Sequence, residues 1–189
     1  MKKANILNIL RFKKTVFSFK EILLISQDKN PNLLIRRLNY YVKKGELYSI
    51  RKGLYAKDKD YDKYEAATKI YTPAYVSFET VLGKAGVTFQ HYGQIFVASY
   101  LTREITADRQ AYSFRKIKDS VLTDHAGIEQ KANYFIAIPE RAFLDVIYLS
   151  KDYYFDNLSV LDWDKVLEIL PIYTNKRMEK EVKAYQKRI

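Results

Sequence analysis

The apolar pattern of this chain changes period at Gly45, and no other feature constrains the fold as much. Before the glycine, Leu34, Leu38, Tyr41 and Val42 recur at helical spacing. After it, Glu46-Leu47-Tyr48-Ser49-Ile50 alternates as a strand, Arg51-Lys52-Gly53 turns, and Leu54-Tyr55-Ala56 returns. Upstream, Ala4–Phe12 and Phe19–Ile25 carry two more helical patterns, the second with Ser18 as N-cap and Glu21 completing a capping box. Gln27-Asp28-Lys29-Asn30 is a turn, Pro31 suits the first position of the third helix, and Gly45 suits its C-terminal cap. Two helices joined by a turn and followed directly by a hairpin predict a winged helix-turn-helix over residues 1–60.

The third helix has two unlike faces. With about 100° between successive residues, Leu34, Leu38, Tyr41 and Val42 turn one way, toward the other helices. Asn32, Arg36, Asn39 and Lys43 turn the other way at spacings of 4, 3 and 4, with Tyr40 at the edge. No Asp or Glu occurs between Asn32 and Lys44. A solvated helix face ordinarily mixes in acids; this stripe holds only groups that suit DNA. Arg can fork onto guanine, Asn onto adenine, and Lys onto phosphate. Arg51 and Lys52 at the hairpin tip are placed to touch flanking backbone or a minor groove.

Charge distribution points the same way. The 189 residues carry a formal net charge of +11. Residues 1–60 hold fifteen basic and five acidic side chains, or +10; residues 61–189 hold 18 and 17, or +1. A localised excess of this kind is the electrostatic footprint of a nucleic-acid reader attached to something else. The chain has no Cys and two His, His91 and His125, which leaves no thiol chemistry and no histidine-rich metal site. No apolar run reaches membrane-spanning length, and Asn5, Asn8 and Arg11 interrupt any signal-peptide core, so a cytoplasmic protein is expected.

Residues 61–189 read as a second, mixed domain that ends in helices. Helices are expected over Tyr61–Ile70, from a Ser77 cap to Lys84, from Pro139 to Tyr148, over Leu161–Leu170 and over Asn175–Lys187. Strands are expected over Gln94–Tyr100, Ala111–Ile117 and Asn133–Ile138. The irregular alternation predicts α+β. Glu140 suits the first turn of its helix, and Arg141 can pair with Asp145 one turn on. The closing helix is basic, with Lys176, Arg177, Lys180, Lys183, Lys187 and Arg188 against Glu179 and Glu181. It offers a surface for an acidic partner or an extension of the DNA footprint.

Three segments carry a resemblance. Lys44-Gly45-Glu46-Leu47 followed by Arg51-Lys52-Gly53-Leu54-Tyr55-Ala56 resembles the winged-helix end of the AbiEi-type antitoxins, abortive-infection regulators of type IV toxin–antitoxin systems. Ala74-Tyr75-Val76-Ser77-Phe78-Glu79-Thr80-Val81-Leu82 is similar to the family's segment leading from a turn into a helix. Ile138-Pro139-Glu140-Arg141-Ala142-Phe143-Leu144-Asp145 is similar to its Pro-Glu-Arg-Ala-hydrophobic-hydrophobic-Asp motif. The resemblance implies a phage-defence antitoxin that represses its own operon through inverted repeats. It also implies a nucleotidyltransferase-type toxin as the partner.

No phosphate loop, nucleophile triad or paired-carboxylate metal pattern stands out, so no catalytic residue, metal or cofactor is expected. Two alternatives remain. One is a winged-helix-tethered, metal-dependent nuclease using Asp119, Asp124 and Glu129 around Lys131; the other is a stand-alone regulator with no toxin. The chain shows no heptad seam, so a monomer in solution that pairs on repeated half-sites is expected.

Overall fold

The computed structural model describes residue 9 and residues 11–187, and it divides into two units, 1–70 and 71–189. Secondary structure is α+β in both. The helix expected over Ala4–Phe12 lies largely outside the described residues.

In the first unit, strand β1 (Val16–Ser18) leads into helix α1 (Phe19–Ser26) and then α2 (Pro31–Lys43). The hairpin β2 (Tyr48–Arg51) and β3 (Leu54–Ala56) follows, and helix α3 (Lys63–Ile70) closes the unit. The capping box at α1 forms as the sequence dictates. Glu21 N–H donates to Ser18 Oγ at 3.2 Å, and Ser18 N–H donates to Glu21 Oε2 at 2.8 Å. Asn30 caps α2 by accepting from the N–H groups of Asn32 and Leu33 at 3.0 and 3.2 Å. Pro31 takes the first helical position, where a missing N–H costs nothing. Gly45, at φ +73, follows the helix in the left-handed region that favours glycine.

The sheet of this unit has three antiparallel strands in the order β1-β3-β2, with Val16 opposite Ala56 and Ser18 opposite Leu54. Leu34 and Leu38 are fully buried against Ile9, Phe17 and Ile22, with Leu47 and Tyr55 completing the cluster. Burying a leucine of this kind contributes about 1.5–3 kcal/mol, which fixes the face α2 turns inward.

The first compact unit runs through α3 to residue 70, and α3 is fastened to β1. Glu65, with no exposure, accepts from Thr15 N–H at 2.9 Å and from Thr15 Oγ at 2.8 Å. One turn on, Lys69 donates to the Val16 carbonyl at 2.6 Å and to Glu21 at 3.1 Å. Burial works against the Glu21 charge. The Ser18 N–H, Lys69 and Lys14 outweigh it and hold the carboxyl down at about 2.

The second unit is built on a six-stranded mixed sheet in the order β6-β7-β5-β4-β9-β8. Its strands are β4 (Ala74–Val76), β5 (Ile95–Ser99), β6 (Arg103–Ala107), β7 (Gln110–Lys116), β8 (Ile128–Gln130) and β9 (Phe135–Ala137). Helices α4 (Glu79–Ala85), α5 (Asp119–Leu122), α6 (Pro139–Leu149), α7 (Trp163–Ile169) and α8 (Lys176–Gln186) accompany it, with a 3-10 turn over Leu170–Tyr173. Of the strands, β5 runs parallel to β7 and β4 parallel to β9; the edges β6 and β8 are antiparallel to their neighbours. Helix α6 is buried along most of its length, from Glu140 to Ile147.

Ser77 does not cap α4. The helix begins after Phe78, which sits at φ +54 and gives no side-chain cap, while the Ser77 hydroxyl is drawn 2.7 Å from Asp145 Oδ2. Arg177 also departs from its expected place on a solvated basic helix. It pairs with Glu181 and donates to the carbonyls of Ile147 and Tyr148 at 2.9 Å, closing the last turn of α6.

Candidate nucleic-acid interface

Helix α2 presents Asn32, Arg36, Asn39, Tyr40 and Lys43 on its exposed side, opposite buried Leu34 and Leu38. Among the described residues the side chains of Asn32, Arg36, Asn39 and Lys43 have no hydrogen-bond or ion-pair partner. Arg37, one position from the stripe, is by contrast taken up by Asp28 in the turn between the helices. The unpaired stripe therefore offers amide and cationic groups whose hydrogen bonds go to solvent or to a ligand. Tyr40 is 56% exposed and stands edge-on to Tyr41, their ring centroids 5.7 Å apart. Lys44 was not singled out for this face, yet its ammonium lies 5.6 Å from the Tyr40 centroid. Its i,i+4 spacing from Tyr40 is the signal that could have found it.

Arg51 ends β2 and Lys52 begins the turn to β3, and both are exposed. Gly53 makes that turn at φ +80, where a side chain would be strained. Its carbonyl accepts from Phe19 N–H at 2.9 Å, fastening the base of the hairpin to the start of α1. The hairpin register shifts between Ser49 and Arg51, an irregularity that re-aims the tip. All seven residues expected at the interface thus lie on the surface of one unit, five on the helix and two at the tip of the hairpin.

The Pro-Glu-Arg-Ala-Phe-Leu-Asp segment does something other than line a surface. Arg141 and Asp145 are fully buried. Arg141 donates to the Val121 and Ala126 carbonyls at 2.7 Å each and to the Tyr75 hydroxyl at 2.9 Å. Asp145 accepts from Tyr173 at 2.6 Å, Ser77 at 2.7 Å and Tyr75 at 3.0 Å. Burial pushes the Asp145 carboxyl above its ordinary value; Arg141 and the three hydroxyls act against that shift. Burial and the Asp145 charge together push the Tyr75 and Tyr173 phenols well up. Glu140 accepts from Asp162 N–H at 3.0 Å and so joins α6 to the start of α7. Every polar group of the motif is spent inside the protein.

Asp119, Asp124 and Glu129 do not gather around a common point. Asp124 accepts from the backbone of Ala126, and Glu129 pairs with Lys131 at 2.5 Å. Among the described residues no group of three or more His, Asp or Glu side chains is placed to hold a metal ion, and no helix is long and apolar enough to cross a membrane. His91 and His125 are exposed, the latter 6.4 Å from the Phe135 ring.

No family model matches the chain, and no curated protein matches it. Among solved structures, the fold is similar to the crystal structure of the RV2827C protein from Mycobacterium tuberculosis. The TM-score is 0.50 and the identity 11%, over 88% of this chain and 69% of that one. At that identity the likeness concerns fold alone.

Proposed function

We propose that the chain is a sequence-specific DNA-binding transcriptional repressor whose first unit is a winged helix. Helix α2 enters the major groove, and the Arg51-Lys52 turn touches flanking backbone. One observation carries the reading: a surface stripe of Asn32, Arg36, Asn39 and Lys43, unpaired and acid-free, on a helix whose opposite side is locked into the core. The order β1-α1-α2-β2-β3 and the three-stranded sheet give it further support. Inverted repeats are the expected operator, because a monomer with one reading helix gains specificity by pairing on two half-sites.

The antitoxin role, with a nucleotidyltransferase-type toxin as partner, rests on the three ordered sequence segments that resemble AbiEi-type proteins. On this reading the 71–189 unit carries the toxin-directed function. Two experiments test the two halves separately. Fluorescence anisotropy with duplex DNA from in front of the chain's own reading frame tests the first. Replacing Asn32, Arg36, Asn39 and Lys43 together by Ala should abolish binding while the circular dichroism spectrum stays unchanged; retained binding removes the α2 assignment. Co-expression with the neighbouring reading frame tests the second, and growth arrest that this chain fails to relieve removes the antitoxin claim.

A further inference from the structure

Two adjoining recesses on the 71–189 unit share Tyr153, Tyr154 and Asp156. The larger, of about 400 Å³, continues to Ser159 and Tyr185; the smaller, of about 300 Å³, reaches Thr88, Gln90 and Tyr92. We propose that this double recess binds a small organic cation, an alkylammonium or trimethylammonium head group held against tyrosine faces and the Asp156 carboxylate. The site is independent of the DNA-binding reading.

Charge selects the ligand class. Among the described residues lining the recesses there is no Lys, Arg or His, and Asp156 is the one carboxylate. A phosphate or carboxylate ligand would find no counter-charge in the lining, since Arg115, which acts on Tyr153 from outside it, is paired with Glu79, and repulsion from Asp156 would oppose it. An ammonium meets the opposite situation, since tyrosine ring faces attract cations and a nearby carboxylate adds to that attraction.

The recess is also preformed. The N–H groups of Asp156 and Asn157 both donate to the Val87 carbonyl, at 3.0 and 3.1 Å. Asp156 Oδ2 accepts from Phe89 N–H at 2.7 Å, which fixes the carboxylate while leaving its other oxygen free for a ligand. Tyr185 donates to the Tyr153 carbonyl at 2.6 Å, tying the wall to α8, and the Tyr153 ring stands 4.8 Å from Phe155. Tyr92 donates to Gln90 Oε1 at 2.8 Å, which holds that amide in place. Thr88, which is 3% exposed, closes the inner wall of the smaller recess.

The test titrates choline chloride into the full chain and follows the tyrosine ring signals by NMR. Choline is expected to saturate, and its uncharged isostere 3,3-dimethylbutan-1-ol to bind at least about tenfold more weakly. Asp156→Asn and Tyr154→Ala are each expected to weaken choline by about tenfold. Tyr154 is 79% exposed, so its removal leaves the core intact and the test stays readable even if Asp156→Asn disturbs its loop. Equal affinity for choline and the alcohol overturns the proposal. So does unchanged choline affinity in Tyr154→Ala, or no saturable change up to about 100 mM.

Discussion

The Arg141 guanidinium and the Asp145 carboxylate lie one helical turn apart on α6, both fully buried, with Nε 3.4 Å from Oδ1. Direct contact between them is the loosest link in their surroundings. Shorter bonds run from Arg141 to the carbonyls of Val121 and Ala126 and from Asp145 to Tyr173 and Ser77. The pair therefore joins β4, α5, α6 and the 3-10 turn through one shared set of hydrogen bonds. The Tyr75 and Tyr173 rings lie 5.4 Å from the guanidinium carbon and shield it from water.

Removing one member of this pair should be far worse than removing a hydroxyl. Asp145→Ala leaves a buried cation uncompensated and is expected to cost about 3–5 kcal/mol. Tyr173→Phe, which loses one hydrogen bond to a charged group, is expected to cost about 1.5–3 kcal/mol. Urea unfolding of the full chain checks the order. A loss below about 1 kcal/mol for Asp145→Ala would show that the network does not hold the second unit together.

Gly127 is required by both its backbone and its surroundings. It sits at φ +71, and a Cβ there would lie 2.8 Å from Arg141 Cβ and 2.8 Å from Ile169 Cδ1. Gly127→Ala is expected to lower stability by about 2 kcal/mol or more, since strain adds to the clash. Gly53→Ala shares only the positive φ, with nothing within 4 Å of the added carbon, and should cost about 1 kcal/mol. Thermal unfolding of both variants measures the gap.

Glu21 makes the first unit acid-sensitive. Its carboxyl is held at about 2 in the folded chain against 4.5 ordinarily, so the folded state favours its ionised form. The stabilisation is complete above the ordinary value and is lost as pH falls from about 4.5 toward about 2. Wild type should therefore exceed Glu21→Gln in stability at pH 6, with the difference vanishing near pH 2. Lys69→Met should move the loss to higher pH. Circular dichroism across this range checks the prediction, and a constant difference between wild type and Glu21→Gln contradicts it.

The position of α3 predicts which fragment folds. A fragment ending at residue 70 keeps the Glu65–Thr15 and Lys69–Val16 bonds and should fold cooperatively. One ending at residue 60 loses the bonds between Glu65 and Thr15 and between Lys69 and Val16 and should be unfolded or aggregated. Two-dimensional NMR spectra of the two fragments decide the matter, and equal dispersion would place the boundary at residue 60 after all.

What was legible in the sequence is what neighbouring residues decide. The Ser18–Glu21 capping box, the Pro31 start, the Gly45 stop and the two faces of α2 depend on spacings within one helix, and each is present. Strand β1 was not legible, because Val16-Phe17-Ser18 becomes a strand only by pairing with Ala56, Tyr55 and Leu54 some forty residues on. Ser77 looked like a helix cap until Asp145, 68 positions away, claimed its hydroxyl. Glu65 and Lys69 lie at i,i+4 spacing, and only the fold brings Thr15 and Val16 to them. The Arg141–Asp145 spacing was visible, but its burial depends on a sheet assembled from six separate strands. The recess around Asp156 had no sequence signal, since Tyr92 and Tyr153 meet only across the fold.

Salt titration of DNA binding by wild type, Arg36→Ala and Lys52→Ala tests the central claim most directly. Two duplexes are needed, one from in front of the chain's own reading frame and one unrelated. If Arg36 reads a base, its replacement should cost about 1–3 kcal/mol on the first duplex and little on the second. Replacing Lys52, a phosphate contact, should weaken both alike and reduce the slope of log K against log salt by about one. Both variants matching wild type on both duplexes at every salt concentration would contradict the assignment of α2 and the β2–β3 turn as the surface that meets DNA.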